Sequence, residues 1–335
     1  MPLHAQARAL LDVLAEIAPS PAGAVPTVEE RRQGPGLGDA ERELLRRRGA
    51  DGRNGTDGAP EPVHEVTDRT VPGPAGEVPV RVYRPAAAGR LPILVYVHGG
   101  GWVIGDLDSD EVVPRALANR AECVVVSVDY RRAPEHPFPA SHDDVLAVTR
   151  WVSDHGDELD ADPTRVVIAG ESAGATMATA TCLSLAREGH RVPAAQLLVY
   201  PITDMVGQDY RSYREVDGTP PLTVDDVRWF VDQETTDRAE THDARLSPLL
   251  ASGEELAGMP PTLLFTASED PLRDQGEDYA HALMDAGVHV TLSRFPGMMH
   301  GFLGCTATLD GARLAMLQSV AFVAAAFAGR EPAAQ

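Results

Sequence analysis

The pentapeptide Gly170-Glu171-Ser172-Ala173-Gly174 lies between an apolar run, 166–169, and an alanine-rich, helix-forming stretch. A serine on a sharp turn from strand into helix stands exposed for nucleophilic attack, and its flanking glycines let the backbone turn tightly and the helix pack on the strand. Alone the pentapeptide is weak evidence, because small residues are common in such turns. Three further stretches supply what it lacks. His98-Gly99-Gly100-Gly101-Trp102 follows the apolar run 93–97, Asp270 follows 263–268, and His300 comes shortly after 292–295.

A serine hydroxyl is a poor nucleophile near neutral pH unless an imidazole takes its proton, and that imidazole needs a carboxylate to fix its tautomer. Ser172, His300 and Asp270 are the candidate set, in the chain order Ser, Asp, His. Acyl transfer also creates an oxyanion, for which the amides of Gly100, Gly101 and Ala173 are the candidate donors; loss of one such donor typically costs roughly 10²–10³ in rate. Gly99 is expected to shape the loop and His98 to hold it through a side-chain hydrogen bond. A merely flexible turn accounts for one glycine better than for three behind a buried strand.

Other residues compete for these roles by position. With eleven histidines in the chain, a late histidine is weak evidence in itself. His281 and His289 fall in a helical run and at a strand start, where structural roles are expected. Asp274 lies a helical turn beyond Asp270, and Glu171 reads as a hydrogen-bond partner beside the nucleophile. The run Asp106–Asp110 begins like a calcium loop, but Glu111 stands where the sixth-position glycine belongs and Leu117 where the twelfth-position glutamate belongs. No metal is therefore expected. Trp102, Met205, Phe230, Met298 and Phe302 are candidate walls of an apolar pocket, with ordinary core packing as the alternative for each.

Composition narrows the chemistry. The chain has 335 residues, 29 basic against 50 acidic, and every basic residue is arginine. Without lysine there is no P-loop lysine, no pyridoxal Schiff base and no Ser-x-x-Lys nucleophile. A formal charge of −21 repels nucleic acid and anionic membranes. Cys123, Cys182 and Cys305 are too few and scattered for a disulfide framework; they read as buried thiols. The N-terminus lacks the pattern of a secretory signal and no stretch of about 18 apolar residues stands out, so a cytoplasmic protein without an integral membrane segment is expected.

The elements that must position these residues form a regular pattern. Leu3, Ala7, Leu10, Leu11, Leu14 and Ile17 share one face of an opening helix. A charged helical segment follows at 39–49, then a connector at 50–62 rich in glycine, proline and polar residues. Beyond residue 63, strands at 76–85, 91–100, 123–130, 165–170, 195–201, 261–268 and 289–295 alternate with helices at 110–122, 140–156, 173–188, 272–287 and 309–328. Strands apolar along their whole length between helices imply an open α/β domain, a mainly parallel central sheet flanked by helices. Ligands gather at the carboxyl ends of such strands. Residues 203–246 interrupt the alternation with one amphipathic segment, 222–234, expected to lie over those ends with the N-terminal helix.

Taken together, HGGGWVIGDLD, DYRRAPEHPFPASHDD, GESAGA, SPLL, EDPLRDQGE and HGF resemble the hormone-sensitive-lipase family of α/β-hydrolases, the bacterial type IV esterases, over most of residues 60–328. The resemblance implies an α/β-hydrolase fold, core 63–202 and 247–335, with a helical cap from 1–62 and 203–246. It also implies a carboxylesterase that acts on short-to-medium acyl esters of small molecules without a cofactor, and it is compatible with a homodimer. Glu171 and Ala175 depart from the family's common Gly-Asp-Ser-Ala-Gly-Gly, and 18–62 matches poorly. A hydrolase-fold binding protein, a dehydratase and an amidase remain open on the same scaffold.

Overall fold

The computed structural model describes residues 2–18, 26–49, 60–207, 209–216 and 218–329; positions 50–59 of the expected connector lie outside them. The chain opens with α1 (Ala5–Ile17), α2 (Val28–Gln33) and α3 (Leu37–Arg47). The hairpin β1 (Glu65–Gly73) and β2 (Gly76–Arg84) leads into β3 (Leu91–Val97), α4 (Val112–Ala121), β4 (Val124–Val128), α5 (Ala140–His155), β5 (Ala161–Glu171), α6 (Ala173–Arg187) and β6 (Gln196–Val199). The interruption holds α7 (Arg211–Glu215) and α8 (Val224–Glu234). Then come α9 (Gly253–Ala257), β7 (Thr262–Glu269), α10 (Arg273–Asp285), β8 (Val290–Met299) and α11 (Asp310–Phe327).

The strands form one eight-stranded sheet in the order β1-β2-β4-β3-β5-β6-β7-β8. β4, β3, β5, β6, β7 and β8 run parallel, while β2 is antiparallel to both of its neighbours, β1 and β4. The sequence pattern missed β1: its burial is mostly exposed, so the apolar signal is lost.

Because side chains alternate across a strand, the apolar runs serve both faces of the sheet. Ile93, Val95 and Val97 of β3, with Val166 and Ile168 of β5, join one buried cluster that includes α5, α6 and α8. Leu94 and Tyr96, with Val167 and Ala169, join a second beneath α1, α4 and α11. A fully parallel centre buried on both faces is why these strands read as continuous hydrophobic segments. α1 docks through Ala7, Leu10, Leu11 and Val13, close to the stripe expected of it.

Two differences from the sequence reading concern helices. α11 is long and apolar enough to cross a membrane, with mean hydropathy 1.2, although no such stretch was expected. Its face Ala312, Ala315, Met316, Ser319, Val323 and Phe327 is buried in this fold. Within 203–246, α7 precedes α8 where only one helix was legible, since five residues carry too little periodicity to register.

The N-terminal region and the interruption meet over the glycine loop. Thr27 and Glu30 form a capping box at the start of α2, as Thr223 and Asp226 do for α8. Arg31 donates to Asp226 Oδ1 at 2.7 Å and its guanidinium lies 4.3 Å from the Trp229 ring centre. Arg32 donates to the carbonyls of Val103 and Ala133, both at 2.9 Å.

Candidate active site

β5 ends on Glu171 and α6 begins at Ala173, leaving Ser172 at the turn with φ 54° and ψ −123°. For a residue with a Cβ that conformation costs on the order of 1–3 kcal/mol and persists only where its surroundings impose it. The surroundings do so here by close packing. A Cβ on Gly170 would stand 2.3 Å from the Gly174 carbonyl oxygen, and one on Gly174 would stand 2.1 Å from the Val97 carbonyl oxygen. Only glycine at both positions lets the turn close against β3.

Opposite the serine, Gly301 at φ +77° turns the chain after β8 and presents His300. The ring's Nε2 accepts from Ser172 Oγ at 2.9 Å, and Nδ1–H donates to Asp270 Oδ2 at 2.7 Å. Asp270 Oδ1 accepts the Leu272 amide at 2.9 Å, which fixes the carboxylate's rotation. All three side chains are buried. Asp274 is engaged elsewhere, accepting the Ser212 amide and pairing with Arg273, while His281 and His289 are exposed.

The glycine loop lies beside this line of atoms. Gly99 runs so near the turn that a Cβ would sit 3.2 Å from the Glu171 carbonyl oxygen and 3.5 Å from Ser172 Cβ. Gly100 and Gly101 both have positive φ. Among the described residues none accepts a hydrogen bond from the amides of Gly100, Gly101 or Ala173, so all three N–H groups are uncommitted. His98 Nδ1–H donates to the Gly99 carbonyl at 2.7 Å, and its ring stacks on Tyr130 at 4.3 Å. Burial pushes the His98 imidazole down to about 4, so it holds the loop as a neutral group.

The candidate pocket residues divide between the two faces of the sheet. Trp102, Met205 and Phe230 belong to the cluster on the α8 side. Phe230 lies directly on Gly101, whose Cα has no side chain to keep the ring away. Met205 lines a small crevice in which Ile202, Val224, Val227 and Val231 are mixed with Asp204, Arg228 and Arg238, whereas Trp102 is wholly enclosed. Met298 and Phe302 are corrections: both belong to the opposite cluster. Phe302 packs on the Tyr200 and Phe295 rings.

Glu171 does have hydrogen-bond partners beside Ser172, and the sequence alone did not single them out. Its carboxyl meets the hydroxyls of Tyr96 and Tyr200. Tyr96 also meets Asp110, a residue read only as part of a failed calcium loop. In that loop Asp106 Oδ1 instead accepts the Asp108 and Ser109 amides. Among the described residues no group of three or more His, Cys, Asp or Glu side chains is arranged to hold a metal ion.

Known proteins resemble this chain in sequence and in fold. A family described as having the α/β-hydrolase fold matches residues 94–304. Carboxylic ester hydrolase LipN of Mycobacterium tuberculosis is 45% identical over 246 residues, which are 71% of this chain and 64% of that protein, a little under two thirds of its length. An arylesterase of Saccharolobus solfataricus is 35% identical over 74% of this chain and 80% of its own. Among solved structures, a hyperthermophilic esterase from the archaeon Pyrobaculum calidifontis superposes with a TM-score of 0.86 at 35% identity, covering 97% of this chain and 99% of that one.

Proposed function

The chain belongs to the α/β-hydrolase-fold family, in its branch of hormone-sensitive-lipase-like carboxylic ester hydrolases, and from that premise we propose that it cleaves short-to-medium acyl esters through Ser172, His300 and Asp270. The observation that carries the reading is the continuous hydrogen-bonded line from Ser172 Oγ through the His300 ring to Asp270. As Oγ attacks the ester carbonyl carbon, its proton passes to His300 Nε2 and the carbonyl π electrons move onto oxygen. Asp270 stabilises the resulting imidazolium and holds the ring's orientation. The amides of Gly100, Gly101 and Ala173 receive the oxyanion.

Collapse of the tetrahedral species breaks the bond to the leaving alkoxide, which takes the proton from His300. A water molecule then repeats the sequence on the acyl-enzyme: its proton goes to His300, its oxygen bonds to the acyl carbon, and Ser172 recovers its proton as the acid departs. Residues 1–62 and 203–246 act together as the cap over 63–202 and 247–335, a reading supported by the pairing of Arg31 with Asp226 and Trp229.

The test is turnover of a p-nitrophenyl butyrate substrate by Ser172→Ala, paired with mass-spectrometric location of an organophosphonate label on the wild type. The variant is expected to lose about 10⁶-fold in kcat and to melt as the wild type does, with the label on Ser172. Retained turnover in the variant, or a label elsewhere, rejects the site. A label on Ser172 without turnover of any ester in a panel identifies a binding protein instead.

A further inference from the structure

Glu171, immediately before the nucleophile, is buried, and both its carboxyl oxygens are engaged. Oε1 is 2.7 Å from the Tyr96 hydroxyl, and Oε2 bonds to the Tyr200 hydroxyl. The Tyr96 hydroxyl lies a further 2.8 Å from Asp110 Oδ2. Four side chains are thus joined by three hydrogen bonds, Tyr200 to Glu171 to Tyr96 to Asp110. Each tyrosine has one proton to donate, and a carboxylate only accepts. Tyr200 donates to Glu171. Tyr96 can donate to one of its two carboxyl neighbours and must accept from the other. The third bond therefore requires a proton on Glu171 or on Asp110.

The surroundings favour that proton. Burial, then the charge of Asp110, push the Glu171 carboxyl up, outweighing its two tyrosine hydrogen bonds. Burial likewise pushes Asp110 up against the bond from Tyr96. The titratable groups around the carboxyls are Tyr96 on β3, Asp110 before α4, Tyr200 after β6 and Cys305 beyond β8. Burial raises both tyrosines and the thiol, and the charges of Glu41 on α3 and Glu171 raise the thiol further. Among the described residues neither carboxyl forms an ion pair with an arginine. The chain also touches the site, for the Tyr200 ring lies 4.6 Å from the His300 ring.

Resting on the assignment of Ser172, His300 and Asp270 above, we propose that Glu171 is a positioning residue that shares one carboxyl proton with Asp110, and that departure of this proton shuts down acyl transfer on the alkaline side. With the proton present, the chain is closed and carries a single negative charge. Its loss leaves two carboxylates facing one tyrosine oxygen, so one of the bonds flanking Tyr96 breaks. A second negative charge then sits one residue from the serine whose tetrahedral intermediate is itself an anion, and low local polarity makes that repulsion felt. The support of Tyr200 against the imidazole loosens at the same time.

Glu171→Gln separates this role from simple packing. The amide oxygen accepts from Tyr200, the amide nitrogen donates to Tyr96, and Tyr96 donates to Asp110, so every bond is kept with no carboxyl proton. Asp110→Asn closes the chain in the same way from the other end. The experiment is kcat and kcat/KM for p-nitrophenyl butyrate, corrected for spontaneous hydrolysis, from about pH 6 to about pH 10 for wild type, E171Q and D110N. Circular dichroism over the same range checks that each stays folded.

The wild type is expected to show a falling alkaline limb, and either variant to move it upward by about one pH unit or more. A wild-type profile that stays flat to the alkaline end overturns the proposal. So does a limb unchanged in both variants. Should one variant fail to fold, the other decides. Failure here leaves the Ser172 assignment standing, because that rests on the S172A and labelling results; a Ser172→Ala enzyme that still turns over rejects the assignment itself.

Discussion

Alanine at Gly101 tests whether the glycine loop is held against the insertion helix as the structure places it. A Cβ there would stand 2.3 Å from Phe230 Cδ1, 2.4 Å from Cγ and 2.8 Å from Cε1, where ordinary contact begins near 3.4 Å. One of the two must give by about an ångström, at a cost of roughly 1–3 kcal/mol for overpacking. The backbone contributes about 1–2 kcal/mol more, because φ is +57° and a left-handed residue with a Cβ is strained. Phe230 is buried on α8, and that helix is held by Arg31 through Asp226 and Trp229. The loop therefore yields first, and its amide leaves the oxyanion. Loss of one such donor lowers kcat roughly 10²–10³-fold, about 2.7–4 kcal/mol, with little change in KM. The assay is the cycle of wild type, Gly101→Ala, Phe230→Ala and the double variant on p-nitrophenyl butyrate. Removing the ring frees the space, so the double variant is expected to exceed Gly101→Ala by about tenfold or more. Wild-type kcat in Gly101→Ala, or a double variant no faster than it, refutes the reasoning.

Two other substitutions probe the base and the root of the insertion. Asp270→Asn keeps the shape beside His300 but offers an amide where a carboxylate accepted the Nδ1 proton, so kcat is expected to fall about 10⁴-fold in steady-state assays while the thermal midpoint changes little. Glu234, the last residue of α8, is buried beside Ser141 and His142, and burial pushes its carboxyl well above 4.5. The folded state then holds a proton that the unfolded chain releases near 4.5. Stability is complete below that pH and declines as pH rises, by about 1.4 kcal/mol per unit until the folded carboxyl ionises. Glu234→Gln removes this slope, so urea midpoints of wild type and variant should diverge in the variant's favour between about pH 5 and pH 7. Parallel midpoints across that range rule out a buried neutral Glu234.

Much of this site was legible because its chemistry is local. The run 166–169, the glycines at 170 and 174 and the helix-forming stretch beyond describe a strand-to-helix turn from neighbouring residues alone. Continuous apolar strands announced burial on both faces, and the order of Ser172, Asp270 and His300 along the chain suited that sheet. β1 and α7 were illegible for the converse reason: one is largely exposed and the other too short to set a period.

What the sequence determined by itself was the inventory: which strand ends carry a hydroxyl, an imidazole, a carboxylate and unblocked amides, since hydrogen-bonding capacity and backbone freedom belong to the residues. Tertiary structure alone decided which of them meet. Met298 and Phe302 lie within two residues of His300, yet both join the cluster on the far face of the sheet. Phe230 is more than a hundred residues from Gly101 and rests on it. Asp110 and Glu171, on separate segments, become partners through one tyrosine hydroxyl. Such meetings depend on strand order, register and the aim of each turn, which arise from the packing of the whole chain and leave no trace in any short stretch of it.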